Sequence, residues 1–200
     1  MAWLALLAAC AAPPLLPPRD TTRLSPAQCL AELDRLGIRY RTAPASTSVG
    51  GGRCMVENPV QVIAATIPWN QPAVADCALV AAFDRFEHEV LRPAAQRYFG
   101  EDIRTIVQLG AYSCRATRTG RESEHAKGLA LDLAGVTLAS GRTILVKEAW
   151  SRGDAAGRFL HAIAPQACGY FNEVLTPESD ADHADHIHLD LGPYRLCVRR

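Results

Sequence analysis

Seven cysteines in a chain of 200 residues constrain its fold more than any other sequence feature. Cys10 stands apart from the rest, directly after an apolar run at residues 3–9. The other six lie between Cys29 and Cys197, too far apart for the CxxC pairs of a zinc ribbon. In an oxidising compartment six such cysteines predict three disulfides, whereas in a cytosolic protein they would be free and buried. Favouring neighbours along the chain, we expect the pairs Cys29–Cys54, Cys77–Cys114 and Cys168–Cys197.

The apolar run at residues 3–9 indicates export. It is far shorter than the roughly 20 residues that span a bilayer, and it resembles the end of a secretory signal peptide. The sequence Leu7-Ala8-Ala9-Cys10 resembles a bacterial lipobox, in which the signal is cut before the cysteine and the thiol is acylated. We therefore expect a signal peptide over 1–9, a lipid-anchored, proline-rich spacer over 10–24, and membrane contact only through the anchor on Cys10. The alternative is an ordinary signal peptide with an incidental cysteine.

The charge balance narrows the range of partners. Lysine plus arginine equals aspartate plus glutamate, at 21 each, so the formal net charge is zero. A nucleic-acid-binding protein needs a basic excess to displace counterions, so we expect no nucleic-acid partner. With 48% hydrophobic and 21% charged residues, the remainder of the chain is expected to fold, and we assign residues 25–200 to one domain.

Local patterns predict helices early in the chain and strands late. Ser25 and Pro26 are typical of a helix start, and Gly37 of its end. Weak alternation predicts strands over 38–43 and 54–66. The later elements are a helix over 74–90 that is broken or restarted at Pro93, a helix over 154–164, and strands over 103–112, 128–136, 143–146, 171–175 and 186–191. This order predicts an α+β fold with a small antiparallel sheet and helices packed on one side.

Three histidines, His183, His186 and His188, lie within six residues of one another, and this clustering indicates a functional site. In a strand over 186–191, the two-residue period places His186, His188 and Asp190 on one face and leaves alternating apolar residues for the core. Two imidazoles and a carboxylate on one face favour metal binding. The alternative is a solvated strand face.

A second source of ligands lies upstream. In the strand from Gly128, the small residues Gly128 and Ala130 share a face with Asp132, which predicts room beside that carboxylate. If the two strands are neighbours, His125, Asp132 and His188 converge. Two imidazoles and one carboxylate suit Zn²⁺ with a fourth position open to water, which is typical of a catalytic site.

These motifs resemble a known group of enzymes. Ser123-x-His125-x-x-Gly128-x-Ala130-x-Asp132 followed by His186-x-His188 is similar to the paired motifs of the LAS zinc peptidases. That group includes D-alanyl-D-alanine carboxypeptidases, penicillin-insensitive murein endopeptidases and the zinc-binding hedgehog domain. From about Cys29 to Cys197 the chain most resembles the bacterial extensin-like C-terminal family, in which residues 110–115 and 180–188 recur in similar form. The resemblance implies an LAS/hedgehog-like fold linked by disulfides.

The resemblance also implies residue roles. His125, Asp132 and His188 would be the zinc ligands, and His186 would stand beside the metal. Peptidases of the carboxypeptidase branch have a glutamate near this point that acts as the general base, but this chain has no glutamate between positions 179 and 188. We therefore expect His183 or His186 to accept the proton.

Three further residues have two readings each. Glu122 is an alternative acid or base, or a group that supports a ligand. Arg115 is expected to bind a substrate carboxylate or the developing oxyanion, because its guanidinium fork suits such groups, whereas the alternative is a surface salt bridge. Asp190 would either orient a ligand histidine or cap its strand.

We therefore expect a zinc-dependent peptidase that cleaves peptide bonds in peptidoglycan stem peptides or cross-links. Its compartment would be the periplasm or, as a lipoprotein, the outer membrane of a Gram-negative-type bacterium. The alternative is a non-catalytic zinc domain that binds cell-wall peptides or an envelope partner. An exported phosphoesterase or deacetylase is less favoured, because such enzymes usually have more Asp and His ligands.

Overall fold

The computed structural model describes residues 24–43, 54–118 and 120–197. The expected signal peptide, the anchor on Cys10 and most of the proline-rich spacer lie outside these residues. Within them, no helix combines the length and apolar character needed to cross a bilayer.

The first helix, α1 (Pro26–Arg35), begins where the sequence predicts. Ser25 closes a capping box in which its hydroxyl accepts from the Gln28 N–H, while the Gln28 side chain accepts from the Ser25 N–H at 2.9 Å. Gly37 follows the helix with φ +72°, a left-handed conformation that favours glycine. The helix buries Cys29 and Leu33.

A three-stranded antiparallel sheet follows, in the order β1 (Arg39–Thr42), β2 (Pro59–Ala64), β3 (Ala73–Asp76). The strands predicted over 38–43 and 54–66 are confirmed, with shorter bounds. The expected helix start near residue 74 is wrong, since residues 73–76 pair with β2. Asp76 explains the change from strand to helix, because its carboxylate accepts from the Ala78 N–H at 2.9 Å and caps α2.

The long helical segment has three parts. α2 (Cys77–Phe86) runs into a π-helical turn at Glu87–Leu91, and α3 (Arg92–Phe99) continues from it. Pro93 lies in the first turn of α3, where its missing N–H is tolerated. The helix therefore restarts at this proline, one of the two outcomes expected from the sequence.

The second sheet has five strands, all antiparallel. It is assembled in the order β4-β5-β8-β7, and β6 also pairs with β5. The strands are β4 (Ile103–Gln108), β5 (Ala130–Leu138), β6 (Thr143–Leu145), β7 (Glu173–Leu175) and β8 (Ile187–Asp190). Two helices, α4 (Val146–Ala149) and α5 (Ala155–Ala167), lie between β6 and β7. The α+β class is confirmed, with two small antiparallel sheets instead of one.

The core lies on one face of the second sheet. Leu131 on β5 and Leu189 on β8 are fully buried in the same hydrophobic cluster as Phe83 of α2 and Phe159 of α5. Because β5 is buried along its whole length, it provides a rigid support for side chains on the opposite face.

The structure contains three disulfides: Cys29–Cys77, Cys54–Cys114 and Cys168–Cys197. The prediction for Cys168–Cys197 is confirmed, but the other two expected pairs are wrong. α1 packs against α2, and this brings Cys29 to Cys77 across 48 residues. The preference for sequence neighbours failed because helix packing decided the pairing.

Candidate metal centre

The two strands that carry the predicted ligands are hydrogen-bonded neighbours. In the antiparallel pairing of β5 with β8, Asp132 lies opposite His188 and Ala130 lies opposite Asp190. Directly opposed side chains share one face of a sheet, so Asp132 and His188 point to the same side. The condition on which the convergence of the three residues depends, that the two strands are neighbours, is therefore met.

His125 reaches the same place from a 3₁₀ turn, Glu124–Lys127, just before β5. The Ser123 hydroxyl caps this turn by accepting from the His125 N–H at 3.3 Å. The Nδ1 of His125 donates to the Ala111 carbonyl at 2.8 Å. This bond leaves Nε2 as the nitrogen that faces the cluster, and Nε2 lies 3.1 Å from Asp132 Oδ1.

Gly128 ends this turn, and its role differs from the one that the sequence suggests. It has φ +67°, and a Cβ there would lie 2.9 Å from the Asp76 backbone nitrogen and 3.0 Å from Val56. The expectation that Gly128 leaves room beside Asp132 is therefore wrong. The glycine permits the left-handed turn and close packing against the start of α2.

One carboxylate oxygen lies at the centre of the cluster. Asp132 Oδ1 is 3.0 Å from His188 Nδ1, 3.1 Å from His125 Nε2 and 3.3 Å from His186 Nε2. All four residues are buried. One ligand atom each from His125, Asp132 and His188 lie within 4.8 Å of one another, which is close enough for a single ion to bind all three.

The electrostatics of the cluster favour a positive charge. Burial raises the pKa of Asp132, but hydrogen bonds with the three imidazoles outweigh burial and hold this pKa well below its usual value. Burial lowers the pKa of His188, yet contacts with Asp132 and Asp190 raise it to about 9. The pKa of His186 is also raised, by Asp132 and Asp185 against the effect of burial. A divalent cation bound to neutral imidazoles would supply the same positive charge beside Asp132.

A second set of contacts fixes His188. Its Nε2 lies 3.2 Å from Asp190 Oδ2, so Nδ1 is the nitrogen left for a metal. Asp190 also accepts from the Gly192 N–H at 2.7 Å. Both readings of Asp190 therefore hold, since it orients a histidine and fixes the chain after its strand.

Sequence reasoning missed Glu173. This residue lies opposite Asp190 across the β7–β8 pair, and together with His188 and Asp190 it forms a second group whose ligand atoms lie within 4.8 Å. Burial, followed by the hydrogen bond and charge of Asp190, raises the pKa of Glu173 to about 7. β7 has only three residues, which is too short for a periodic pattern that would predict this contact.

His183 and His186 each have one nitrogen held by a carboxylate. His183 Nδ1 lies 2.8 Å from Asp180, and His186 Nδ1 lies 2.8 Å from Asp185. The His183 ring centroid is 5.3 Å from that of His186. Burial lowers the pKa of His183, which favours its neutral form. The Nε2 of His183 is therefore the nitrogen available to exchange a proton, whereas the Nε2 of His186 lies 3.3 Å from Asp132 Oδ1 and exchanges a proton only when it leaves that carboxylate.

The structure separates the two remaining predicted residues. Arg115 follows the disulfide-bonded Cys114, and its Nη2 lies 3.9 Å from Asp132 Oδ2, at the rim of the cluster. Glu122 pairs with Ala116 in a short hairpin. Within the described residues, Glu122 has no hydrogen bond to the cluster. Arg115 is therefore the better placed of the two to meet a ligand.

The cluster opens into a groove of about 1020 Å³. Leu109, Leu175 and Tyr194 give its wall apolar patches. The charged residues are segregated by chain segment: Arg115, Arg118 and Arg121 come from the hairpin, whereas Asp180, Asp182 and Asp185 come from the segment before β8. Arg118 and Asp182 form an ion pair between the two segments.

Comparison with known proteins gives one match. The family model described as the Extensin-like protein C-terminus matches residues 27–198. No curated protein and no solved structure matches the chain significantly. The matched region contains all six disulfide cysteines and every residue of the cluster. The chain therefore belongs to the extensin-like C-terminal family.

Proposed function

We propose that this protein is a zinc-dependent peptidase of the cell envelope that hydrolyses peptide bonds in peptidoglycan stem peptides or cross-links. The observation that supports this most strongly is the convergence of His125, Asp132 and His188 in an open groove. The similarity of their motif to the LAS zinc peptidases supports the same activity and an LAS-like fold.

The donor set fits zinc. Two imidazoles and one carboxylate, each held by a further hydrogen bond or charge, are a common catalytic zinc set. When bound, Zn²⁺ polarises a scissile carbonyl and lowers the pKa of water. His125, Asp132 and His188 would hold the ion, and Asp190 would keep the Nδ1 of His188 free for it.

The remaining side chains divide the other tasks. His186 and His183 would accept the proton of the attacking water and return it to the leaving amine, each oriented at Nδ1 by an aspartate. Arg115 would bind a carboxylate of the substrate at the rim, where its side chain is 57% exposed. A peptide with charged ends and small apolar side chains suits a groove lined by arginines, aspartates and leucines.

The compartment belongs to the same proposal. Three disulfides favour an oxidising environment, in agreement with an exported, periplasmic or outer-membrane lipoprotein. A lipid on Cys10 followed by a proline-rich spacer would hold the domain near the peptidoglycan layer.

The test is digestion of purified sacculi and muropeptides by zinc-loaded protein, with products followed by mass spectrometry. We expect products from the unmodified protein and none from His188→Ala. His88→Ala is the matched control, since His88 lies 42% exposed on the π-helical turn, outside the groove. Zinc-loaded protein that releases no product from several peptidoglycan types would contradict the proposal.

A non-catalytic zinc domain that binds cell-wall peptides is the second candidate. One observation favours it: the segment at residues 180–188 supplies aspartates and histidines to the groove but no glutamate base. Such a binder would retain muropeptides in a zinc-dependent manner, and their mass would not change with time.

A further inference from the structure

Residues 115–118 and 120–123 pair as a short antiparallel hairpin at the edge of the groove. Ala116 and Glu122 form the central pair, and backbone hydrogen bonds of 2.7 and 3.3 Å flank it. Paired residues lie on the same side of such a ladder, and side chains alternate along each strand. Arg115 and Arg121 therefore share one face of the hairpin, and Ala116 and Glu122 share the other.

The face with the two arginines is turned toward the cluster. Arg115 reaches to 3.9 Å from Asp132, and Arg121 lines the same groove as the cluster. Diagonal positions on an antiparallel pair are about 7–8 Å apart, which is the spacing expected for Arg115 and Arg121. A ligand at the cluster therefore has two guanidinium groups within reach on one side.

Arg121 is oriented but not neutralised. Its guanidinium carbon lies 4.7 Å from the centroid of the Tyr194 ring, and the tyrosine is 56% exposed. Among the described residues, no carboxylate lies within ion-pair distance of Arg121. Its charge favours ionisation of Glu173, but the hydrogen bond of Glu173 goes to Asp190. Stacking on an aromatic ring leaves the edge of a guanidinium free to bind an anion in bidentate fashion.

We propose that Arg121, stacked on Tyr194, is a second carboxylate-binding position, and that the substrate is a peptide with two free carboxylates. One carboxylate binds Arg115 and the other binds Arg121. An extended peptide rises about 3.3 Å per residue, so backbone positions two residues apart are separated by about 7 Å, which matches the diagonal spacing of the backbone positions that carry Arg115 and Arg121. This inference rests on the peptide-binding role proposed above and adds the substrate class.

The test uses two synthetic peptides that differ in one group. Both end in a free carboxylate, and one has a side-chain carboxylate two residues earlier where the other has a carboxamide. Binding to the full-length zinc-loaded protein is measured by calorimetry, and hydrolysis is followed in the same samples. We expect the dicarboxylate to bind about fivefold more tightly, as a partly exposed charged pair allows.

Variants locate the effect. Arg121→Gln should remove the preference and leave the affinity for the carboxamide peptide unchanged. Tyr194→Phe keeps the ring and the preference, whereas Tyr194→Leu should reduce it. Arg104→Gln is the control for loss of one positive charge, because Arg104 is an exposed residue of β4 outside the groove.

The outcomes separate the two proposals. Equal binding of the peptides, no binding of either, or a preference that survives Arg121→Gln would overturn the role of Arg121. A preference that depends on Arg121 without hydrolysis would support this inference and count against the peptidase. Hydrolysis of both peptides at equal rates would support the peptidase and count against the role of Arg121.

Discussion

Replacing Cys54 and Cys114 by alanine should affect stability and ligand binding in different ways. The disulfide joins residues 60 apart, and loop-closure entropy for this length gives a stabilisation of about 4 kcal/mol. The Cys29–Cys77 disulfide joins residues 48 apart and gives about the same value, because the dependence on length is logarithmic. The two double variants should therefore lose similar amounts of folding free energy.

Their effects on ligand binding should differ. Cys114 immediately precedes Arg115, so its disulfide anchors the base of the hairpin that lines the groove. Cys29 and Cys77 join α1 to the start of α2 and do not line the groove. Without the Cys54–Cys114 bond, peptide affinity should fall about tenfold, since Arg115 and Arg121 would each lose a partly exposed charged pair worth up to about 1 kcal/mol. Zinc affinity should change little, because β5, β8 and the 3₁₀ turn hold the ligands.

Urea denaturation under non-oxidising and non-reducing conditions measures the first effect, and calorimetry with a carboxylate-terminated peptide measures the second. Peptide affinity is measured for both double variants at a urea concentration far below either unfolding midpoint, so that both proteins are folded. If Cys29→Ala/Cys77→Ala weakens peptide binding as much as Cys54→Ala/Cys114→Ala does, the hairpin is not positioned by its disulfide. A difference in folding free energy above about 2 kcal/mol would refute the entropic reasoning.

Three further predictions concern single residues. Burial and the nearby Asp84 raise the pKa of Glu87, so the native state holds this proton more tightly than the unfolded state, and stability falls as pH rises from about 4.3 toward the native pKa. Glu87→Gln should flatten the stability profile over this window in urea denaturation, and an unchanged slope would contradict the assignment. Gly128→Ala should destabilise the protein by at least about 1–2 kcal/mol because of its positive φ and its 2.9 Å approach to a backbone nitrogen, and an unchanged melting temperature would be contrary evidence. Asp190→Ala should lower zinc affinity about 10–100-fold in chelator competition, because His188 loses the partner that fixes its ring; unchanged affinity would exclude a positioning role.

The sequence predicted the two strands that carry the candidate metal ligands because the signal for each strand is local. Alternation over 128–136 and 186–191 shows which side chains share a face, and in the structure Leu131 and Leu189 are buried in the core while Asp132 and His188 face each other. A period of two residues requires no knowledge of the rest of the chain. The same local reasoning placed His125 before its strand.

Features that depend on distant contacts were missed. Residues 73–76 form a strand because β2 pairs with them, although Ala and Val there also fit a helical pattern. Glu173 acquires its raised pKa only through Asp190 on the neighbouring strand. Two of the disulfides follow the packing of helices and loops, which spacing along the chain does not reveal.

The side chains of the candidate site are held by two kinds of structure, buried strands and an exposed hairpin. Asp132 and His188 lie on buried, paired strands, where packing fixes their positions. Arg115 and Arg121 lie on an exposed hairpin, and an isolated hairpin of this size is marginally stable in water. Its remaining supports are covalent and electrostatic: the Cys54–Cys114 bond at the base and the Arg118–Asp182 ion pair near the tip. Because the hairpin has little core of its own, reduction of that disulfide should loosen the groove wall before it disturbs the candidate metal ligands. If both proposals hold, metal binding should persist under conditions in which peptide binding is lost.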